Sequence, residues 1–66
     1  MDLDNVFCYH APKGGQQERY IALRTKAKEL AGLILASTPA SREQSIALTN
    51  VQQAVMWANA AIAINE

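Results

Sequence analysis

The sequence predicts an all-α fold, an antiparallel two-helix hairpin preceded by a short extended or partly helical N-terminal arm. Three observations predict it. Two long stretches carry apolar residues at alternating steps of three and four, the spacing of one helix face. A proline-containing break separates them, and the first 17 residues lack that period. The expected layout is a single hairpin domain over residues 1–66, with the arm over 1–17, helix one over 18–36, the turn over 37–41 and helix two over 42–65.

The arm, "NVFCYHAPKGGQ", contains Pro12, Gly14 and Gly15 and reads as extended chain ending in a turn. Val6, Phe7, Cys8 and Tyr9 form an apolar and aromatic run, which fits a segment docked on a surface. Two roles stay open for it: a strap over exposed helix, or a ligand contact in which the Tyr9 ring stacks on a base.

In helix one, Tyr20, Leu23, Ala27, Leu30 and Ile34 form the inward stripe, with Ile21 and Leu35 as a second apolar flank. Tyr20, Arg24 and Lys28 are four residues apart, so both cations stand on one ridge beside the Tyr20 ring. Such a ridge is ordinarily a solvated face. Here no acid occupies the compensating positions, and the arm adds Lys13 and His10. Repelling cations without an internal partner point to an external anion.

The turn, "ASTPAS", ends helix one because Pro39 cannot continue it and disfavours helical geometry at Thr38. Ser41 fits the N-cap of helix two, with Gln44 placed to complete a capping box. A cap alone explains Ser41. Arg42 is unexpected in a first turn, where the helix dipole favours acids. It is better placed if an anion is shared between its guanidinium and the free amides of the helix start.

Helix two carries an inward stripe of Leu48, Val51, Val55, Ala58 and Ile62. Ile46, Trp57, Ala60 and Ile64 fall on a different side, and Ala47, Ala54, Ala58 and Ala61 make a small-residue stripe. Ten of the eleven residues from 54 to 64 are apolar, Asn59 being the exception. A helix apolar nearly all round must be covered nearly all round, and one partner helix covers a single stripe. The surplus predicts self-association through Val55, Trp57, Asn59, Ile62 and Ile64, with Asn59 setting register as buried Asn does in helix seams.

Length and composition agree. A chain of 66 residues buries only about 60% of its unfolded surface and usually needs a disulfide, a metal or an oligomer. Cys8 is the only cysteine, so no internal disulfide forms. Cys8 and His10 fall short of the four ligands of a structural zinc site, and no metal or other cofactor is expected.

Six basic and six acidic residues give zero formal charge, unlike a binder of polymeric nucleic acid. The basic residues nevertheless concentrate between His10 and Lys28, against one acid, Glu18. A neutral chain with one basic zone suits a small anion. The acidic start lacks the features of a signal peptide, and the final apolar run is about half the ~20 residues needed to span a bilayer. A soluble intracellular protein with no membrane partner is expected.

Catalytic equipment is sparse. Cys8 and His10 have no third group to orient them as a nucleophile–base pair, the carboxylates are scattered, and the KGG run at 13–15 is too short for a phosphate loop. No enzymatic activity is expected. The residues leave two binding functions open: a helical adaptor holding a partner protein on its apolar face, or an oligomeric receptor for a small phosphorylated ligand.

The runs "YHAPKGGQQERYIALRTKAKELA" and "SREQSIALTNVQQAVMWANAAIAINE" resemble the phage anti-CBASS cyclic-nucleotide sponge family, which shares a hairpin domain with the Thoeris-inhibiting sponges. The resemblance covers nearly the whole chain from Phe7 onward, and "SREQSIALT" and "MWANAAIA" are its most specific parts. It implies a helical hairpin assembled into a homohexamer in the host bacterial cytoplasm. It also implies binding of cyclic dinucleotides, such as cyclic GMP-AMP, and of cyclic trinucleotides without cleavage, which starves host CBASS effectors of their signal. Matched to the family, Tyr9 corresponds to the dinucleotide-stacking tyrosine, accompanied by His10 and Lys13. Arg24 corresponds to the phosphate-reaching basic residue, with Lys26 and Lys28 as alternatives. The trinucleotide pocket corresponds to Pro39, Ala40, Ser41 and Arg42.

Overall fold

The computed structural model describes residues 3–7, 11 and 13–66. Its described elements are all helical: α1 (Leu3–Phe7), α2 (Gln16–Ser37) and α3 (Arg42–Asn65). α2 and α3 are the arms of the hairpin. α1 makes the start of the arm helical, the partly helical alternative to the extended one. A five-residue helix is too short to show a 3.6-residue period, so periodicity does not reveal it. Asp4 in its first turn favours the helix dipole. The Asn5 side-chain amide donates to the Ile64 carbonyl at 3.0 Å, tying α1 to the end of α3.

α2 begins at Gln16, two residues before the expected Glu18. Gly14, at φ +47°, makes the turn that precedes it, a conformation that favours glycine because it has no Cβ. Gly15 takes the N-cap without a side-chain oxygen. Gln16 ties the preceding turn to the helix: its Oε1 accepts from the Lys13 backbone amide at 3.0 Å, while its backbone N–H donates to the Lys13 carbonyl at 2.8 Å.

The helix ends where Pro39 requires it to. Thr38 is extended (φ −132°, ψ 151°), as the residue before proline prefers. The Thr38 hydroxyl and amide both donate to the Ile34 carbonyl, at 2.7 and 3.1 Å. α3 opens with Ser41 as its N-cap, whose Oγ accepts from the Gln44 amide at 3.1 Å. The second half of the expected capping box is not made. The Gln44 side-chain amide donates instead to the Thr38 carbonyl and hydroxyl, each at 3.1 Å. The extended Thr38 offers two oxygens across the turn, and Gln44 closes the turn by binding both.

The two stripes meet as the spacing predicts, since Tyr20, Leu23, Ala27 and Ile34 of α2 and Leu48, Val51, Val55, Ala58 and Ile62 of α3 are all partly covered. Leu30 departs from its stripe and stays 48% exposed. It borders an open apolar groove of about 470 Å³ that it shares with Leu23, Ala27, Val51, Ala54 and Ala58. Alanines on the α3 side are too short to fill the space beside a leucine.

No described hydrophobic residue is buried; the one buried described residue is Gln16. The dimensions give the reason. The hairpin measures 42 × 25 × 13 Å, so its thinnest direction is about one helix diameter. Two rods in one layer have a seam between them but no interior. Among the described residues no helix is long and apolar enough to cross a membrane.

Candidate functional site

The helical period sorts the α2 cations onto two sides. Tyr20 is half-buried, and Arg24 and Lys28 stand exposed on the ridge that continues from it. Neither cation has an ion-pair partner among the described residues. Ile21, 45% exposed, adds apolar surface to the same flank. An unpaired pair of cations beside an aromatic ring and an aliphatic side chain can accept an anion attached to a flat, partly apolar body.

Lys26 is two residues from both Arg24 and Lys28, a rotation of about 200°, and the structure separates it from them. It pairs with Glu29 at 3.5 Å. Together with Arg19, Ala22, Leu23 and Ile62 it lines a second groove of about 330 Å³. The absence of a compensating acid therefore holds for Arg24 and Lys28 but not for Lys26. Lys13 is also engaged, its Nζ donating to the Glu66 main-chain oxygen at 3.3 Å. Tyr9 and His10 lie outside the described residues, as does Cys8.

At the other end of the hairpin, Pro39, Ala40, Ser41 and Arg42 are all exposed. The Ser41 hydroxyl is committed to the turn, accepting from Gln44 and donating to the Pro39 carbonyl at 3.0 Å. Arg42 has no side-chain partner among the described residues. It stands at the positive end of the α3 dipole, where a nearby anion would be held by both.

The residues expected at an interface between copies are unevenly exposed. Val55 and Ile62 lie half-buried in the seam with α2. Ile64 and Asn59 are half-buried too, and the Ile64 carbonyl receives the Asn5 bond. The Asn59 Oδ1 is shielded from solvent without a hydrogen-bond partner among the described residues. Trp57 stands 74% exposed, next to Met56 at 61%.

Sequence reasoning missed a polar cluster at the open end of the hairpin. Arg19 grips the Glu66 carboxylate with both terminal guanidinium nitrogens, Nη1 to Oε2 at 2.9 Å and Nη2 to Oε1. The Gln16 side-chain amide donates to the same carboxylate at 3.5 Å. The hydrogen bonds from Arg19 and Gln16 hold the Glu66 carboxyl below the usual range, and Glu66 raises Arg19 in turn. These residues are 47 to 50 positions apart in sequence, so no local pattern announces them. No group of three or more potential metal ligands occurs among the described residues.

No curated protein and no solved structure matches the chain. A family does: residues 2–63 match the family described as Acb2/Tad1, hairpin domain. That span takes in α1, α2 and almost all of α3, so the chain belongs to the Acb2/Tad1 hairpin-domain family.

Proposed function

We propose that this protein is a phage-encoded sponge, which binds cyclic oligonucleotide second messengers and withholds them from host CBASS effectors without degrading them. Membership in the Acb2/Tad1 family is the observation that carries the reading. The geometry supports it in two ways. A one-layer hairpin with no buried hydrophobic residue among those described needs further copies to cover it, and crevices between copies are where a ringed ligand fits. The unpaired Arg24 and Lys28 supply positive charge on one flank, and Arg42 with the α3 N-terminus supplies it at the turn.

In this reading identical chains assemble into a homohexamer. Cyclic dinucleotides occupy the site formed by the arm and the Arg24–Lys28 ridge, with Tyr9 stacked on a base and His10 and Lys13 nearby. Lys26, turned to the other side and paired with Glu29, drops out of that site. Cyclic trinucleotides occupy the turn at residues 39–42. Stacking contributes about 1–3 kcal/mol per base, and charge-assisted bonds to the phosphates add to it. Binding to sites shared between copies makes assembly and affinity rise together. The protein acts in the host cytoplasm, with no cofactor and no polymeric nucleic acid as partner.

A thermal-shift screen against cyclic di- and trinucleotides, with linear dinucleotides as controls, tests the proposal. A ligand at 100 times its dissociation constant stabilises by about 2.7 kcal/mol. Chromatography of the recovered ligand completes the test, since a sponge returns it unchanged. Silence across all cyclic ligands, or their return as cleaved products, overturns the proposal. The exposed Trp57 and Met56 favour one other reading, an adaptor holding a partner protein on that ridge, and that reading predicts the silent screen.

A further inference from the structure

The N-terminal arm has two described feet, and both rest on the end of α3. On one side of residues 8–10, Asn5 donates to the Ile64 carbonyl at 3.0 Å, across 59 positions of sequence. On the other side, the Lys13 Nζ donates to the Glu66 main-chain oxygen at 3.3 Å, across 53 positions. The second foot is the more elaborate. The Lys13 amide donates to Gln16 Oε1, Gln16 Nε2 donates to the Glu66 carboxylate, and Arg19 grips that carboxylate from the next turn of α2. Gln16 is 5% exposed, the one buried residue of those described. The best-covered of the described side chains, none of whose hydrophobic members is buried, is thus an amide joining the arm to α3.

We infer that Glu66 is a positioning residue for the arm: held by Arg19 and Gln16, it fixes the place where the chain leaves the arm and enters α2. With Asn5 held on Ile64 and Lys13 on Glu66, both described ends of the arm are anchored on one helix end. Ordering a binding segment in advance raises affinity by removing a cost that binding would otherwise carry. The consequence for ligand rests on the function proposed above; the consequence for the arm does not. The Arg19 and Glu66 side chains are 49% and 44% exposed, and an ion pair that open to solvent adds little to global stability. Its loss acts on the arm and leaves the hairpin standing.

The test uses the full chain in three forms: unaltered, Glu66→Gln, and the charge exchange Arg19→Glu with Glu66→Arg. Hydrogen exchange at the Lys13 amide reads the foot directly, because that amide is bonded to Gln16 Oε1. Affinity for cyclic GMP-AMP reads the consequence, and circular dichroism with light scattering checks fold and assembly. For Glu66→Gln we expect Lys13 exchange to quicken and affinity to fall, each by about fivefold, with helicity and assembly unchanged. The charge exchange restores the ion pair but not the Gln16 bond, since arginine has no acceptor, so Lys13 exchange stays quickened; its full recovery would overturn the role given to the Gln16–Glu66 bond. Unmoved Lys13 exchange in Glu66→Gln overturns the inference even if affinity falls, since Glu66 then acts on ligand directly. Quickened exchange with unchanged affinity overturns it as well, because the arm's placement then does not matter to binding. If the unaltered chain binds no cyclic dinucleotide, the proposed function fails, and the exchange measurement still decides whether Glu66 holds the arm.

Discussion

The two ends of the hairpin solve the same problem with different means. At the turn, every side-chain bond is local: Thr38 to Ile34, Ser41 to Pro39, Gln44 to Ser41 and Thr38, Ser45 to Ser41, none spanning more than six positions. At the open end the bonds that join the arm and α2 to the last turn of α3 span 47 to 59 positions. A local closure forms as soon as its own residues are helical. A long-range closure exists only while both helices are docked and α3 is wound to its end. The difference leaves the two ends with different spare chemistry. The turn spends its hydroxyls on itself, whereas the open end spends Lys13, Gln16 and Arg19 on Glu66; Arg42 at the turn and Arg24 and Lys28 on the flank have no ion-pair partner among the described residues.

Four experiments break or sharpen that contrast, beginning with the largest effect. In the proposed function the arm end stacks a base, so Tyr9→Ala should cost about 1–3 kcal/mol of cyclic-dinucleotide affinity per stacked base with assembly intact. Calorimetry and light scattering read the two together; a dispersed oligomer would make Tyr9 part of a strap over the helices. Arg42→Ala should weaken trinucleotide binding by about tenfold and spare dinucleotides. Equal loss of both ligand classes in a competition assay would mean that the two ends do not bind separately.

Ser41→Ala removes the N-cap of α3 and should lower stability by about 1 kcal/mol in chemical denaturation. Arm protection at Lys13 should be unaffected, because the two ends share no bond.

Acid gives the smallest effect and the reverse selectivity. The Glu66 carboxyl lies below its unfolded value through its bonds to Arg19 and Gln16. Its contribution is therefore complete above the ordinary glutamate value of about 4.3. It is lost as pH falls through the lower folded value, while Arg19, whose own value is raised, stays charged throughout. Lys13 exchange, corrected for its intrinsic pH dependence, should lose protection on acidification below that range. The turn, which is bonded through hydroxyls and amides, should not respond.

Much of this fold was legible in the chain. The three-four spacing located both long helices, Pro39 located the break, and Ser41 was recognisable as a cap because capping acts over three residues. Gln44 shows where that reasoning stops: its residue type announced a capping box, but the oxygens of the extended Thr38 were a better-placed partner. Arg24, Lys28 and Arg42 could be singled out as cations without nearby acids, since helical spacing decides which neighbours they have. Lys26 is set apart from them by the same spacing, with Glu29 three residues on; only the groove it shares with Ile62 required the folded chain.

What the sequence determined by itself is the hairpin and its excess of apolar surface, because helical period, capping and proline act within a few residues. Tertiary structure decided the rest: that α1 is helical and held by Asn5, that Leu30 borders an open groove, and that Glu66 gathers Gln16, Arg19 and Lys13. Those contacts join residues far apart in the chain, and their partners are chosen by how the docked helices place them in space, which no neighbouring residue encodes.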